Sequence, residues 1–242
     1  MSLTVLCPSR GRPDAAWALW DSVEATRRNP HTRLVFVLDT DDETMPEYIR
    51  PRDGHELIVR RPEHPNNTGM SAALNAGVKD ALVEWPHEKV FGFVGDDHRF
   101  RTPGWDEIFL ESLNDRPGFV YGNDLFWKNG EIPTQIFMSA GIVKKLGWMA
   151  LPTAHHLYLD NTWLELGQAT GSIRYFADVV VEHMHPSGGK GQWDDQYRKN
   201  NSEAMYHHDA TAFAEWRDGE QFMEDVKRVR QALVQKQRVN AA

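Results

Sequence analysis

The sequence has 242 residues, and its 27 Lys and Arg residues against 35 Asp and Glu residues give a formal net charge of −8. Hydrophobic residues make up 40% of the chain and charged residues 26%. This balance excludes a disordered or fibrous protein and predicts a globular one. The acidic charge argues against a broad nucleic-acid-binding surface, which needs many cationic groups, and leaves a local one open.

Cysteine content and hydropathy indicate the cellular environment of the protein. Cys7 is the single cysteine, so the chain can form neither an intramolecular disulfide nor a zinc site made of cysteines alone. No apolar run approaches the roughly 20 residues of a membrane-spanning helix. The opening MSLTVLCPSR has no basic region before an apolar stretch, which predicts a first strand rather than a signal peptide. We therefore expect a soluble, cytoplasmic protein.

Short, nearly continuous apolar runs alternate with helical patterns along the chain. The runs predict buried strands at residues 3–7, 34–38, 57–59, 90–94, 119–121 and 179–181. Helical periodicity predicts helices at residues 14–27, 43–49 and 71–84, and a helical extension from about residue 201 to 242. This alternation predicts an α/β domain over residues 1–200, with a mostly parallel sheet flanked by helices.

Polar clusters directly follow four of the predicted strands. They occupy residues 8–13 (PSRGRP), 39–42 (DTDD), 60–69 and 95–98 (GDDH). In open α/β sheets, ligands bind outside the carboxyl ends of the strands, where helix N-termini and loop amides are free. We therefore expect these clusters to line one ligand-binding crevice.

Asp96 and Asp97 stand side by side at the end of the apolar strand KVFGFV. Adjacent carboxylates repel unless a cation or water compensates them, so the pair is a candidate site for a divalent cation such as Mn²⁺ or Mg²⁺. A second apolar strand ends in His183 and His185, which alternation places on one side of the chain, where one of them would complete the ligand set. His98 is an alternative ligand, and a solvated turn with surface histidines is the non-functional alternative.

Residues 66–77 (NNTGMSAALNAG) form a loop that leads into a helix rich in small residues. Such a helix can approach a ligand closely, and its N-terminus offers free amides and a positive dipole end to an anion. Arg10 and Arg12 in the same crevice would add the fixed positive charge that a diphosphate needs. Tight packing of an ordinary capped helix is the alternative.

In this order, the motifs resemble those of the GT-A fold nucleotide-sugar glycosyltransferases, especially the family 2-like group. The family's opening strand and Pro-Ser/Thr-Arg loop match CPSRGRP, and its Asn-x-Gly-x-Ser-x-Ala-x-x-Asn-x-Gly helix entry matches NTGMSAALNAG. Its Asp-x-Asp-type metal motif is matched loosely by GDDH. The similarity covers roughly residues 1–186 and implies a Rossmann-like GT-A sheet, with a donor half near residues 1–100 and an acceptor half near residues 101–200.

The resemblance implies transfer of a sugar from a nucleoside diphosphate sugar, with a UDP-linked donor expected, to an acceptor hydroxyl. Asp97 with His183 or His185 would hold the metal, and Asp160 would be the general base if the enzyme inverts. The expected donor-binding residues are Pro8, Ser9, Arg10, Arg12, Asp39, Asp41, Asn67, Gly69, Ser71, Asn75 and Asp96. The expected acceptor-side residues are Tyr121, Asn123, Asp124, Trp127 and Trp148.

Two departures from the family pattern bear on the mechanism. Gly95 stands where many relatives carry a first Asp, so a single carboxylate would hold the metal. Asp160 suits an ordinary helix N-cap equally well, and strand ends resembling VEHMHP also occur in retaining GT-A enzymes, so the stereochemical outcome stays open. The glycine-rich residues 188–191 resemble a mobile loop that closes over the donor.

Two other classes of function remain open on the sequence. A nucleotidyltransferase or another metal-dependent phosphoryl-transfer enzyme would need a catalytic lysine near the phosphates or a glycine-rich loop after the first strand, and PSRGRP has one glycine. A non-catalytic nucleotide-sugar-binding protein would bind without turnover. The acceptor is open among a glycan, a small glycoside, a protein and a hydroxylated DNA base.

Overall fold

The computed structural model describes residues 1–49, 56–60 and 69–239. The strands are β1 (Leu3–Pro8), β2 (Thr32–Asp39), β3 (Glu56–Arg60), β4 (Val90–Phe93), β5 (His98–Phe100), β6 (Phe119–Asn123), β7 (Ile136–Ser139) and β8 (Ile173–His183). The helices are α1 (Pro13–Thr26), α2 (Met45–Tyr48), α3 (Met70–Glu84), α4 (Trp105–Asp115), α5 (Ala140–Leu146), α6 (Leu159–Ala169), α7 (Asp195–Asn200), α8 (Glu203–Asp218) and α9 (Glu220–Val239).

The strands form one sheet in the order β3-β2-β1-β4-β7-β6-β8-β5. In the first half of the sheet, β3, β2, β1 and β4 run parallel. The second half is mixed, because β7 is antiparallel to β4 and β6, β8 is parallel to β6, and β5 is antiparallel to β8. The predicted α/β sheet is confirmed, and its parallel character belongs mainly to the half that the first hundred residues build. The short strands β5 and β7 were not predicted.

Helices cover both faces of the parallel half, which is why its strands are apolar at almost every position. Alternate residues of β2 enter opposite cores, with Val35 and Val37 on one face and Phe36 on the other. Leu74 of α3 packs in the first core, and Trp17 of α1 packs edge-on against Phe36 at 5.6 Å between ring centroids. A strand that is buried on both faces has no place for alternating polar residues.

The predicted helical extension contains α8 and α9, and α9 packs against α5, α6 and α8. Phe213 and Trp216 of α8, with Val226 and Val229 of α9, are buried in the core shared with α3 and the sheet. The extension is therefore part of the main hydrophobic core. Among the helices of the described residues, including the 20-residue α9, none combines the length and apolar character that crossing a lipid bilayer requires.

Candidate active site

A tight turn after β4 brings Asp97 and His98 to the carboxyl edge of the parallel strands. The His98 N–H donates to the Gly95 carbonyl at 3.1 Å, and the chain then reverses into β5. A Cβ atom on Gly95 would lie 2.6 Å from Asp97 Oδ1 and 3.3 Å from His98 Nδ1. A side chain at position 95 would therefore push the Asp97 carboxylate and the His98 imidazole out of their present positions.

The pairing of β5 with β8 places His98 directly opposite His183. Their imidazole rings stack, with centroids 4.4 Å apart and an interplanar angle of 13°. His183 Nε2 lies 3.2 Å from Asp97 Oδ2, and His98 Nδ1 lies 3.3 Å from Asp97 Oδ1. One ligand atom from each of the three residues lies within 4.8 Å of the others.

This cluster has the composition of a divalent-metal site. A carboxylate with two imidazoles suits Mn²⁺ or Zn²⁺ better than Mg²⁺, which prefers oxygen ligands. The protein leaves one polar atom of the cluster unsatisfied, since His183 Nδ1 is buried without a hydrogen-bond partner. His98 Nδ1 accepts a hydrogen bond from the Gly95 N–H at 3.1 Å, and binding a metal through this atom would replace that bond. The three residues therefore fit a metal ion.

The structure separates the predicted ligand His185 from this cluster and puts His98 in its place. β8 ends at His183, so the alternation that would align the two histidines stops there. His185 Nδ1 instead accepts a hydrogen bond from the Ser187 N–H at 3.1 Å, and its ring stacks on Phe126 at 5.3 Å. His185 borders the site, with its ring centroid 5.1 Å from that of His183.

The two adjacent carboxylates have opposite electrostatic environments. Burial and the charge of Asp97 raise the pKa of Asp96, against the lowering effect of Arg12 and Ser9. Burial would also raise the pKa of Asp97, but the hydrogen bonds and charges of His183 and His98 hold it well below its usual range. Asp97 is therefore the carboxylate that stays negatively charged, which is the property a cation ligand needs.

Asp96 ties the loop after β1 to the acidic corner. Its Oδ2 accepts a hydrogen bond from Ser9 Oγ at 2.6 Å, and its Oδ1 lies 3.4 Å from an Arg12 nitrogen. The Tyr48 hydroxyl accepts from the Arg12 N–H at 3.0 Å and shares a hydrogen bond of 2.8 Å with Ser9. The loop begins at Pro8, the last residue of β1. Tyr48, which the sequence analysis did not single out, joins this group. Four of the expected donor-binding residues thus lie together: Pro8, Ser9, Arg12 and Asp96.

Arg10 connects the ends of β1 and β2. One of its nitrogens lies 3.2 Å from Asp39 Oδ2 and 2.7 Å from Asp41 Oδ1. Arg10 and Asp41 are substantially exposed, so the pairs stabilise the fold little and mainly orient these side chains. The polar ends of β1, β2 and β4 therefore form one continuous surface, as the sequence analysis expected. Asn67 lies outside the described residues.

The small-residue helix entry faces protein backbone. Ser71 Oγ donates to the Leu151 carbonyl at 2.6 Å, and Asn75 bonds the backbone of residues 149 and 150 through both its amide nitrogen and its oxygen. Gly69 has φ 101°, and a Cβ there would lie 2.6 Å from the His155 carbonyl oxygen. Ser71 and Asn75 therefore hold the segment that leads to α6, and their polar groups are engaged there rather than in the crevice.

Asp160 lies in the first turn of α6, at the end of that segment. Its Oδ1 accepts a hydrogen bond from the Asn161 N–H at 2.9 Å. Burial raises the pKa of Asp160, and the carboxylate interacts electrostatically with His183. The predicted general base and the metal cluster are therefore coupled electrostatically.

The five predicted acceptor residues divide into two groups. Trp127 is 40% exposed, and with Asn123, Phe126 and Tyr175 it lines a cleft of about 540 Å³. Tyr121, Asp124 and Trp148 are buried. Tyr121 donates its hydroxyl to the Gly130 carbonyl at 2.6 Å, and Trp148 packs in the core. Asp124 accepts hydrogen bonds from the N–H groups of Phe126 and Trp127, both at 2.9 Å, and so shapes the cleft from below.

Asp209 of α8 anchors the loop before Asp160. It is fully buried, and its carboxylate accepts hydrogen bonds from the N–H groups of His155, His156 and Leu157 at 2.9, 2.8 and 2.6 Å. Burial lowers the pKa of His156 to about 4, against the raising effect of the Asp209 and Asp97 charges. No local pattern in the sequence predicts this contact, because the two segments meet only through tertiary packing.

We expect Asp209→Ala to lower the free energy of unfolding by about 3 kcal/mol, because three partly buried N–H groups lose a charged acceptor. Burial would raise the pKa of Asp209, but these hydrogen bonds lower it. The carboxylate therefore stabilises the fold above its ordinary pKa of about 4, and this contribution is lost as the pH falls through the folded-state pKa. Urea unfolding should show a difference between variant and wild type that shrinks in acid. Asp218→Ala, at an exposed position of the same helix, is the control, and a difference that does not change with pH would contradict the assignment.

Comparison with solved structures defines the fold. The mannosyltransferase PcManGT from Pyrobaculum calidifontis, solved with GDP-Man and Mn²⁺, matches with a TM-score of 0.62 and 14% identity over 95% of this chain and 69% of its own. Residues 1–349 of TarS from S. aureus match with a TM-score of 0.58 and 12% identity over 96% of this chain and 81% of theirs. The chain has the GT-A glycosyltransferase fold. No protein-family model and no curated protein sequence matches it.

The polar edge described above consists of the residue clusters that follow the strands in the sequence. A further structure of TarS residues 1–349, in complex with UDP-GlcNAc, matches with a TM-score of 0.57 and 12% identity over 89% of this chain and 71% of its own. The resemblance inferred from the motifs is therefore confirmed at the level of the fold. At these identities the match concerns the backbone architecture, and the side-chain chemistry must be argued from this chain's own residues.

Proposed function

We propose that the protein is a metal-dependent glycosyltransferase that moves a sugar from a nucleoside diphosphate sugar, UDP-linked, to an acceptor hydroxyl. The observation that carries the proposal is the cluster of Asp97, His98 and His183 at the carboxyl edge of the GT-A sheet. Solved structures of the same fold include a complex with GDP-Man and Mn²⁺ and another with UDP-GlcNAc.

Asp97, His183 and His98 would hold the metal, and their mixed oxygen and nitrogen ligands favour Mn²⁺ over Mg²⁺. When bound, a divalent cation acts as a Lewis acid for the leaving diphosphate. Arg12 lies next to this cluster and would stabilise the same developing charge by charge-assisted hydrogen bonds. Ser9 and Asp96 orient Arg12, and Arg10 with Asp39 and Asp41 forms the edge at which we place the nucleoside.

Asp160 is proposed as the general base that removes the proton from the acceptor hydroxyl, which implies inversion at the anomeric carbon. The raised pKa of the buried carboxylate supports this role, because it makes Asp160 a stronger base than an exposed Asp. The charge of Asp160 also acts on the pKa of His183, which supports a position within reach of the proposed metal site.

We place the acceptor in the cleft beside Trp127, whose exposed indole offers a flat apolar face to a sugar or another ring. Trp127→Ala should raise the KM for methyl and aryl glycoside acceptors about tenfold. Donor hydrolysis to water should stay unchanged, because the Trp127 indole would stack on the ring of the acceptor, which hydrolysis does not use. Steady-state kinetics of both reactions test this, with Tyr206→Ala as a remote control for loss of an exposed aromatic ring. Equal loss of both activities would contradict the assignment.

A screen of nucleotides tests the proposed function itself. Thermal shifts and product release would be measured with UDP- and GDP-sugars and with nucleoside triphosphates, each with and without Mn²⁺. We expect stabilisation by a UDP-sugar that depends on Mn²⁺, with slow release of UDP. A response restricted to nucleoside triphosphates would instead indicate phosphoryl transfer, and donor binding without release of UDP under any acceptor would indicate a binding protein.

A further inference from the structure

Tyr197, which the sequence analysis did not select, contacts the central ligand of the metal cluster. Its hydroxyl donates a hydrogen bond to Asp97 Oδ2, the same oxygen that lies 3.2 Å from His183 Nε2. A carboxylate oxygen has two lone pairs, and these two contacts use both. Burial and the charge of Asp97 raise the pKa of Tyr197, so the phenol stays protonated and able to donate.

Arg12 holds Tyr197 from the opposite side. Its guanidinium lies 4.0 Å from the centre of the Tyr197 ring and 2.7 Å from Asp194. Asp194 in turn caps α7 by accepting a hydrogen bond from the Tyr197 N–H at 2.8 Å. Arg12, which we propose binds the donor diphosphate, is therefore held by the same segment that contacts the metal ligand Asp97.

The other anchors of this segment, residues 189–200, include the Lys190 ion pair with Glu182 at 2.8 Å and the Trp193 ring, which lies 6.1 Å from that of His185. Residues 191–195 are exposed, and none of the six residues of α7 is buried. Gly189, at the start of the segment, has φ 72°, a conformation that glycine adopts without strain. Segments with few buried contacts open at low free energy. The contacts of Tyr197 and Asp194 therefore contribute much of the free energy that keeps this segment closed.

We propose that Tyr197 gates the metal site: its phenol competes with the divalent cation for Asp97, so that cation binding displaces Tyr197 and releases Arg12 for the donor. The inference rests on the metal site of the proposed function. The phenol weakens cation binding by the free energy of its contact with Asp97, because the cation must replace that contact. Displacement of the segment also removes Asp194 and the Tyr197 ring from Arg12, while the contact of Arg12 with Asp96 stays. Cation and donor then favour each other's binding by the same factor.

Tyr197→Phe tests the gate, because it removes the hydroxyl and keeps the ring on which Arg12 lies. Titration of the protein with Mn²⁺ alone, followed by calorimetry and by the electron paramagnetic resonance signal of free Mn²⁺, measures the affinity without any glycosyl donor. We expect the variant to bind Mn²⁺ about tenfold more tightly than wild type. Tyr206→Phe, whose hydroxyl contacts Asn201 at 3.4 Å, should leave the affinity unchanged.

The possible outcomes distinguish a failure of the Tyr197 gate from a failure of the metal site. Unchanged Mn²⁺ affinity in Tyr197→Phe would overturn the gate, and weaker affinity would overturn it in favour of a phenol that supports the metal. If neither protein binds Mn²⁺ while circular dichroism shows both folded, the metal site of the proposed function fails, and the gate fails with it.

Discussion

Asp97→Ala should lower kcat/KM for glycosyl transfer by a factor of about 1,000 or more and abolish Mn²⁺ binding. Asp97 is the carboxylate of the cluster and the group whose charge both histidines stabilise. Without it, the cluster keeps two imidazoles and has no carboxylate ligand for a dication, so the leaving diphosphate would lose its Lewis acid. Release of UDP from a UDP-sugar and calorimetric Mn²⁺ titration measure the two effects.

Asp178→Ala provides the matched control, since Asp178 is exposed on β8 and lies outside the cluster. This variant should bind Mn²⁺ and turn over like wild type. Circular dichroism of Asp97→Ala should match that of wild type, because the carboxylate contacts polar groups of the site and Asp97 belongs to neither hydrophobic core. Full activity of a folded Asp97→Ala protein would remove the metal assignment.

Asp160→Asn should lower kcat for transfer about 1,000-fold while the affinity for donor and Mn²⁺ stays within twofold of wild type. The amide is almost the same size as the carboxylate and still accepts a hydrogen bond from the Asn161 N–H, but it cannot take up the proton of the acceptor hydroxyl. Single-turnover transfer and calorimetric donor binding separate these two quantities.

Glu203→Gln serves as the control for Asp160→Asn, because Glu203 is an exposed acidic residue in the first turn of α8. Its transfer rate should equal that of wild type. Nuclear magnetic resonance of the freshly formed product gives the anomeric configuration, and we expect inversion. A product with retained configuration, or an Asp160→Asn variant with normal kcat, would exclude Asp160 as the base.

The parallel half of the fold could be predicted from the sequence because each of its features has a local cause. Burial on both faces produces continuous apolar runs, and the polar clusters that end them mark one edge of the sheet. This reasoning placed Ser9, Arg12, Asp96 and Asp97 in one region, where the structure has them. The strands β5 and β7 have three and four residues, which is too short for a periodic pattern.

The rest of the site depends on contacts between distant segments. Alternation treats His183 and His185 alike, but the strand ends between them, and the antiparallel pairing of β5 with β8 brings in His98 instead. Tyr197 lies 100 residues from Asp97 in sequence. Asp209 lies more than 50 residues from the loop that it anchors. Neither position has a local signal, since its role arises when the C-terminal helices pack on the domain.

Glycine at position 95 also sets the charge of the proposed metal site. Because it supplies no second carboxylate, a dication held by Asp97 and two neutral imidazoles would retain one unit of positive charge. Such an ion would polarise the leaving phosphate oxygens more strongly. Because fewer negative ligands would hold the ion, a chelator would remove it more quickly. With glycine at this position, the ion would be a stronger Lewis acid and would be bound less tightly.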